Sequence, residues 1–297
     1  MLAHIRTSIF SAIVASSCLL APSVFAEDSQ AILWKVEKAD APASWILATV
    51  HSTDAQVAEF SPAANAALSS AKHIGTEYQN DMNSVIEVAQ TMLTAKPSLE
   101  AIIGKTSFER LVPLIAERGY PVGVTAKLKP WAAVMLLLSP RPSKAIIPMD
   151  DLLLKHSMEQ QKKYFALESI EQQLAAYQAL PTEKQLLLLE ALIKNEGKLE
   201  QHYKKVISAY LAQDLDLIAS LSQTANIILP SKEQAWFNAW QDAAKVERKQ
   251  IIVERLKFPF EKGDTFVGIG APLLAGSDGL LAKLRAAGYT LTAVPVQ

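Results

Sequence analysis

Only one of the 297 residues is a cysteine, Cys18, and it falls within an N-terminal segment that reads as a removable leader. The mature chain is therefore expected to have no disulfide and no thiol chemistry, which suits an oxidising compartment without depending on it. Neither sign of charge is in excess: 29 Lys and Arg face 30 Asp and Glu, a formal net charge of −1. That balance leaves no electrostatic footprint for nucleic acid or for an anionic membrane. No segment beyond the leader reaches the ~18 uncharged apolar residues that a transmembrane helix needs. Familiar motifs are missing too. The chain has no CxxC, no HExxH, no glycine-rich phosphate loop and no GxSxG turn, so the metal, nucleotide and acyl-enzyme readings tied to them lack support. Gly268-Ile269-Gly270 carries two glycines of a dinucleotide fingerprint, but the third is absent and Pro272 disturbs the helix start.

The N-terminus has its own pattern. His4 and Arg6 form a weakly basic start, Ile9 to Ala21 is mostly apolar, and Val24-Phe25-Ala26 is a small-residue cleavage site before Glu27-Asp28. Residues 1–26 are thus expected to be a signal peptide, and residues 27–297 a periplasmic or secreted protein. Lipidation at Cys18 would leave the apolar Leu19-Leu20-Ala21 in the mature N-terminus, and Ser16-Ser17 is a poor lead-in, so ordinary cleavage is the reading. Half of the chain is hydrophobic and 20% is charged, enough for one large domain with a helical insertion at about 181–256.

Ala31 to Val36 and Ser44 to Val50 are β-rich runs joined through Lys38-Ala39-Asp40-Ala41-Pro42, an expected antiparallel hairpin. Ser61 caps a helix that begins at Pro62, and His73 to Glu77 is the following strand. Asn83 to Leu93 reads as helix, and Thr106 and Glu109 form a capping box for a helix that stops at Gly119. Lys129-Pro130-Trp131 opens an apolar helix to Leu138. Asp150 to Gln160 is helical, and Lys163 to Leu167 is a short strand before a helix from Ser169. From Pro181 to Leu256 the pattern is almost all helix, interrupted at Gly197, restarted at Asp214 and reopened at Ser231. The expected architecture is α/β: a central mixed sheet built from both ends of the chain, with a large helical middle region.

A strand–loop–helix–strand order occurs twice. Trp45 to His51, a polar turn, a helix and the strand ending at Glu77 form the first copy. The second runs through Thr265 to Gly270, a loop through Leu273, a helix from Ser277, and a strand from Tyr289 to Val296. Aligning them sets Ala48-Thr49-Val50-His51 against Gly270-Ala271-Pro272-Leu273. Polar residues at the carboxyl ends of strands are where open α/β sheets build their sites. His51, with Asp54 three residues on and Glu77 at the end of the next strand, offers an imidazole and carboxylates for metal ligation or acid–base work. If those consecutive strands are neighbours, His51 and Glu77 face one crevice. His73 begins its strand at the opposite end, and His156 and His202, on Lys- and Gln-rich helices, read as solvated.

Leu33-Trp34-Lys35-Val36, Ala48-Thr49-Val50-His51 with Asp54, Glu77, Lys129-Pro130-Trp131, the Asp150-to-Ser157 helix, Leu167 to Leu174 and Gly276 to Leu281 occur in an order that resembles the TraB/GumN family, which includes the Tiki-type proteases. The resemblance implies an α/β fold in which two GxxH motifs and a glutamate form a metal-dependent hydrolase site. The first motif falls on Ala48 to His51, the glutamate on Glu77, and the second motif on Gly270 to Leu273. An Arg-Asn pair on the preceding helix falls on Arg248-Lys249. This chain therefore keeps one histidine, one glycine and the arginine, and has Ala48, Leu273 and Lys249 where the family pattern has other groups.

Leucine neither ligates a metal nor moves a proton. A divalent cation on His51, Glu77, Asp54 and Asp150 would be held loosely, since zinc sites usually supply three or four protein ligands. Two readings follow. One is an active metal-dependent hydrolase or peptidase, with Glu77 as base or ligand and Arg248 assisting. The other, which the departures favour, is a catalytically impaired descendant that binds a peptide or small polar ligand, with no metal held tightly. A structural envelope protein whose helical middle is a partner surface is a third and weaker reading.

Overall fold

A computed structural model describes residues 30–296 apart from residues 53, 79–81, 96–97 and 144–145. The expected leader, with Cys18, lies outside the described residues. Strands β1 (Leu33–Glu37) and β2 (Ser44–Thr49) precede helix α1 (Pro62–Ser70) and β3 (His73–Thr76). Helices α2 (Met82–Met92), α3 (Lys105–Ala116), α4 (Pro130–Leu138) and α5 (Met149–Glu159) follow. Next, β4 (Lys163–Ala166) leads into α6 (Ile170–Ala179), α7 (Thr182–Leu211), α8 (Leu215–Leu221) and α9 (Ser231–Lys262). After them come β5 (Thr265–Gly270), α10 (Leu280–Ala286) and β6 (Thr290–Ala293).

The six strands form one mixed sheet in the order β4-β3-β5-β2-β1-β6. The four from β4 to β2 are parallel, while β1 runs antiparallel to both β2 and β6. Both ends of the chain thus build one sheet, and the two repeat copies meet at its centre, with Thr49 opposite Gly270. The central strands β2 and β5 are buried along nearly their whole length, which their run of apolar residues requires of parallel strands covered on both faces. The expected adjacency of β2 and β3 is not found. β5 inserts between them, because the repeat pairs copy with copy before it pairs strands within a copy.

Two hydrophobic cores result. Trp34, Ile46, Leu47, Phe266 and Ile269 belong to the core of the sheet. A second core lies mainly among helices and includes Leu111, Trp131, Val134, Leu188 and Phe237, so it draws on residues before β4 as much as on the stretch after Pro181. The Tyr210 hydroxyl of α7 donates to the Ala48 carbonyl at 2.9 Å and ties the helical layer to β2.

Several helix boundaries differ from the sequence reading, each for a local reason. α3 starts at Lys105, so Thr106 lies inside it. Gly104, at φ +80°, ends a short Ser98-capped helix and begins α3 with no side-chain cap, a turn that glycine tolerates at no steric cost. α7 runs through Gly197 and departs from helical geometry at Asn195 instead, where Asn195 Nδ2 donates to the Ala191 and Ile228 carbonyls. α9 continues past Leu256 to Lys262, and stops at Gly263 with φ +74°. The loop after β5 is a short helix, Ala271–Leu274, with Pro272 in its first turn. α10 begins at Leu280 and not at Ser277, and β6 ends at Ala293.

Candidate functional site

Parallel strands β3, β4, β5 and β2 all end on one rim, and the helical layer roofs it to leave a crevice of about 370 Å³. From the sheet come Thr49, His51, Glu77, Gly270 and Leu273. From the helical layer come Tyr177, His202, Lys245 and Arg248. The pairing of β2 with β5 puts His51 and Leu273 beyond adjacent strand ends on the same rim, though the ladder is offset by one residue from the sequence alignment.

Glu77 follows β3 directly. Its Oε1 accepts from the Gly270 amide at 2.5 Å and its Oε2 from Arg248 Nη2. A Cβ on Gly270 would sit 2.8 Å from Glu77 Oε1, so only glycine lets the carboxylate approach this backbone. Arg248 also holds Glu168, through Nε at 3.0 and 3.1 Å and Nη2 at 2.7 Å, while Gln173 Nε2 donates to the same carboxylate at 2.7 Å. The Glu168 amide donates to the Glu77 carbonyl at 2.7 Å, which sets the two acids side by side. One guanidinium therefore serves two carboxylates. Burial lowers the Arg248 pKa, but Glu77 and then Glu168 outweigh it and carry the value above the ordinary one. Burial raises the Glu168 pKa, and the share of Arg248 that reaches it does not fully offset that. A cation with two buried anions gives both results at once.

The other acids and imidazoles divide into engaged and unengaged groups. Asp150, in the first turn of α5, has its Oδ1 buried without a partner. Burial, with the nearby negative charge of Glu77, pushes its pKa up to about 7, against a hydrogen bond with Thr49. His51 shows an edge to solvent at the mouth of the crevice. Even so, the protein around it displaces enough water to lower its pKa against the raising effects of Asp151 and Glu77. Asp54 caps the short 3-10 turn Ala55–Val57, its Oδ1 accepting from Gln56 N at 2.9 Å. Leu273 is 3% exposed and packs into the core of the sheet. Lys249 does not add its charge to the crevice, because its Nζ binds Asp278 Oδ2 at 2.5 Å and the Asp278 carbonyl at 2.9 Å.

Two histidines read as solvated are not. His202 is buried in the crevice wall with its Nε2 2.6 Å from the Leu221 carbonyl, and His156 is half-buried with its Nε2 unpartnered. Helical polarity around them predicted solvent, but α7 packs against α8 at His202, and α5, which carries His156, packs against the sheet. Sequence reasoning also gives no role to Glu168, although it stands just past β4 as Glu77 stands just past β3. The strand-end criterion applied to β4 would have found it. Lys245 and Thr224 line the crevice from helical segments, and no local pattern marks them.

No match is found among curated proteins or among solved structures. The TraB/PrgY/gumN family model matches residues 32–293, from the start of β1 to the end of β6, and on that extent the chain belongs to the TraB/PrgY/gumN family.

Proposed function

We propose that this chain is an exported, ligand-binding member of its family that no longer carries out metal-dependent hydrolysis. The observation that carries the reading is Leu273. At the strand end beside His51, where the family pattern has a second imidazole, an aliphatic side chain packs into the core and offers no electron pair. The remaining donors fit a divalent cation poorly. Both Glu77 oxygens are engaged, one by Arg248, whose charge would repel a second cation. Among the described residues no three His, Cys, Asp or Glu side chains stand together as a metal-holding group. What the crevice does offer is a binding surface with both hydrogen-bonding and apolar walls, open to a peptide or a small polar molecule.

The competing reading is an active hydrolase built on His51 and Glu77. Its support is the His51 imidazole at the crevice mouth and the unpartnered Asp150 oxygen, groups of the kind that hold a metal or move a proton. Calorimetric titration separates the two. Wild type is expected to bind zinc, manganese and cobalt weakly and to cleave no peptide on adding them. The Leu273→His/Pro272→Gly variant, if its circular dichroism stays native, is expected to gain metal affinity before any turnover, since Ala48 and Lys249 remain unchanged. A wild type that binds one metal tightly and loses it on His51→Ala would refute the proposal.

A further inference from the structure

A groove of about 420 Å³ lies at the edge of the sheet, between β4 and the C-terminal end of α9, and it shares no lining residue with the crevice. All four residues of β4 line it. Successive side chains of a strand point to opposite faces, so a groove that meets all four runs along the edge and reaches the backbone. β4 is the terminal strand of the sheet and pairs with β3 alone. In that ladder the Lys163 and Leu167 amides donate to the Lys72 and Thr76 carbonyls. Ala166, one residue out of phase with them, turns its amide and carbonyl to the outer side.

The facing wall is one stripe of α9: Arg255, Phe258, Pro259 and Lys262, spaced i, i+3, i+4 and i+7. α9 ends at Gly263 and β5 then starts beside His73, so Lys262 stands at the Lys163 end of β4. At the other end Arg255 Nη1 donates to the Leu167 carbonyl at 2.7 Å. Between them lie Phe165 on the strand and Phe258 on the helix, the latter 68% exposed. The groove thus runs cation, aromatic, cation, and none of its lining residues is acidic. Nearby carboxylates are engaged elsewhere: Glu254 by Lys257, Glu261 by Lys38 and Asp264 by Lys72. Arg255 also favours the charged form of Glu168, whereas Lys262 reaches only the Phe258 ring, 5.5 Å from its centre.

We infer that this edge takes an extended acidic segment of a partner protein as an added strand beside β4. Acidic residues at positions i and i+4 of that strand face Lys163 with Lys262 and Arg255, and an aromatic or aliphatic residue at i+2 faces Phe165 and Phe258. The lengths agree. Arg255 to Lys262 rises about 10 Å along the helix, and i to i+4 spans about 13 Å of strand, a difference that long side chains cover. Charge on an open edge deters pairing between copies of one chain. Here it has one sign, so a second copy is repelled and an acidic strand is selected. In strand addition the main-chain hydrogen bonds give affinity and the side chains give the choice of partner. The inference is independent of the crevice and of what it binds.

The test is fluorescence anisotropy of a labelled, end-blocked peptide, Ser-Glu-Thr-Phe-Thr-Glu-Ser, titrated with the full-length processed protein. It is expected to bind with Kd below about 1 mM and to weaken as salt is added, while the same peptide with Lys for Glu does not bind. Two further probes keep every side chain but carry N-methyl groups on one or the other alternate set of amides. One is expected to lose about tenfold or more and the other to bind as before, because only one set faces β4. Lys163→Glu with Lys262→Glu, both exposed, is expected to weaken the acidic probe about tenfold and to admit the Lys probe. Phe258→Ala is expected to weaken the acidic probe by a similar factor. No binding of the acidic probe at about 1 mM, equal binding of the Lys probe, or an equal response to the two methylated sets overturns the inference. Sedimentation with phosphatidylglycerol vesicles that is lost on Phe258→Ala, without peptide binding, would assign this face to lipid and overturn the added strand.

Discussion

Removing Arg248 would strand Glu168, whose side chain has no solvent access, next to a second acid at Glu77. Breaking a buried ion pair from one side costs about 3–5 kcal/mol, because the surviving charge stays buried and unpaired. Arg248→Met is therefore expected to lower the unfolding free energy from urea titration by that much, and adding Glu168→Gln is expected to restore a large part of it. A single variant within about 1 kcal/mol of wild type would show that the triad is not held as described. Asp150 gives a pH-dependent counterpart. Its folded pKa, about 7, lies above the ordinary carboxylate value of 3.8, so between those limits the folded state binds the extra proton. Stability from this group is present at low pH, falls as pH rises through that window, and is fully lost above about 7. Asp150→Asn is expected to flatten that slope and to raise stability relative to wild type at pH 8, as followed by thermal melts across pH. An unchanged slope would place the Asp150 carboxyl in a wetter setting.

Within the elements, glycine marks where the backbone tolerates a side chain and where it does not. A Cβ at Gly75 in β3 would lie 2.5 Å from the Phe165 ring and 2.9 Å from Val267 Cγ1, atoms of the neighbouring strands β4 and β5. Gly75→Ala is expected to destabilise by about 1–3 kcal/mol through overpacking. Gly197 inside α7 has nothing within 4 Å of the same atom. Gly197→Ala is expected to stabilise by about 0.5–1 kcal/mol, the usual gain from helix propensity and reduced unfolded-state entropy. Urea denaturation of both variants checks the pair, and equal effects would mean that β3 and β4 are less closely packed than the register indicates. Local signals served these elements unevenly. Ser61, Pro130 and Asp214 begin helices as their chemistry requires. Gly104 displaces the Thr106 cap, because a glycine at positive φ links two helices more tightly than a capping box does.

For the molecule as a whole, the core of the sheet and the crevice at its rim require both ends of the chain, since β2 and β5 share the centre of the sheet. The proposed export adds a claim about processing: cleavage after Ala26, ahead of β1 at Leu33. N-terminal sequencing of the protein from cell fractions is expected to begin at Glu27. A chain beginning at a lipidated Cys18, or an uncleaved cytosolic one, would rule this out.

Much of this is readable without coordinates, because it depends on neighbours along the chain. The alternation of strand and helix, the cap at Ser61, the helix from Ser169, the sharing of one sheet by strands from both ends of the chain, and the family itself are all of that kind. Which residues meet at the rim is a different matter. Glu168 joins Glu77 through Arg248, 80 and 171 residues away in the chain, and His202 is buried because α8 passes over it. Lys249 is drawn off by Asp278, while Thr224 Oγ1 and Gln241 Oε1 are buried without a hydrogen-bond partner. Sequence pattern encodes what each element buries, since that follows from its own periodicity. Which charges pair and which polar atoms stay unpaired depends on how separate elements pack, and only the tertiary structure decides that.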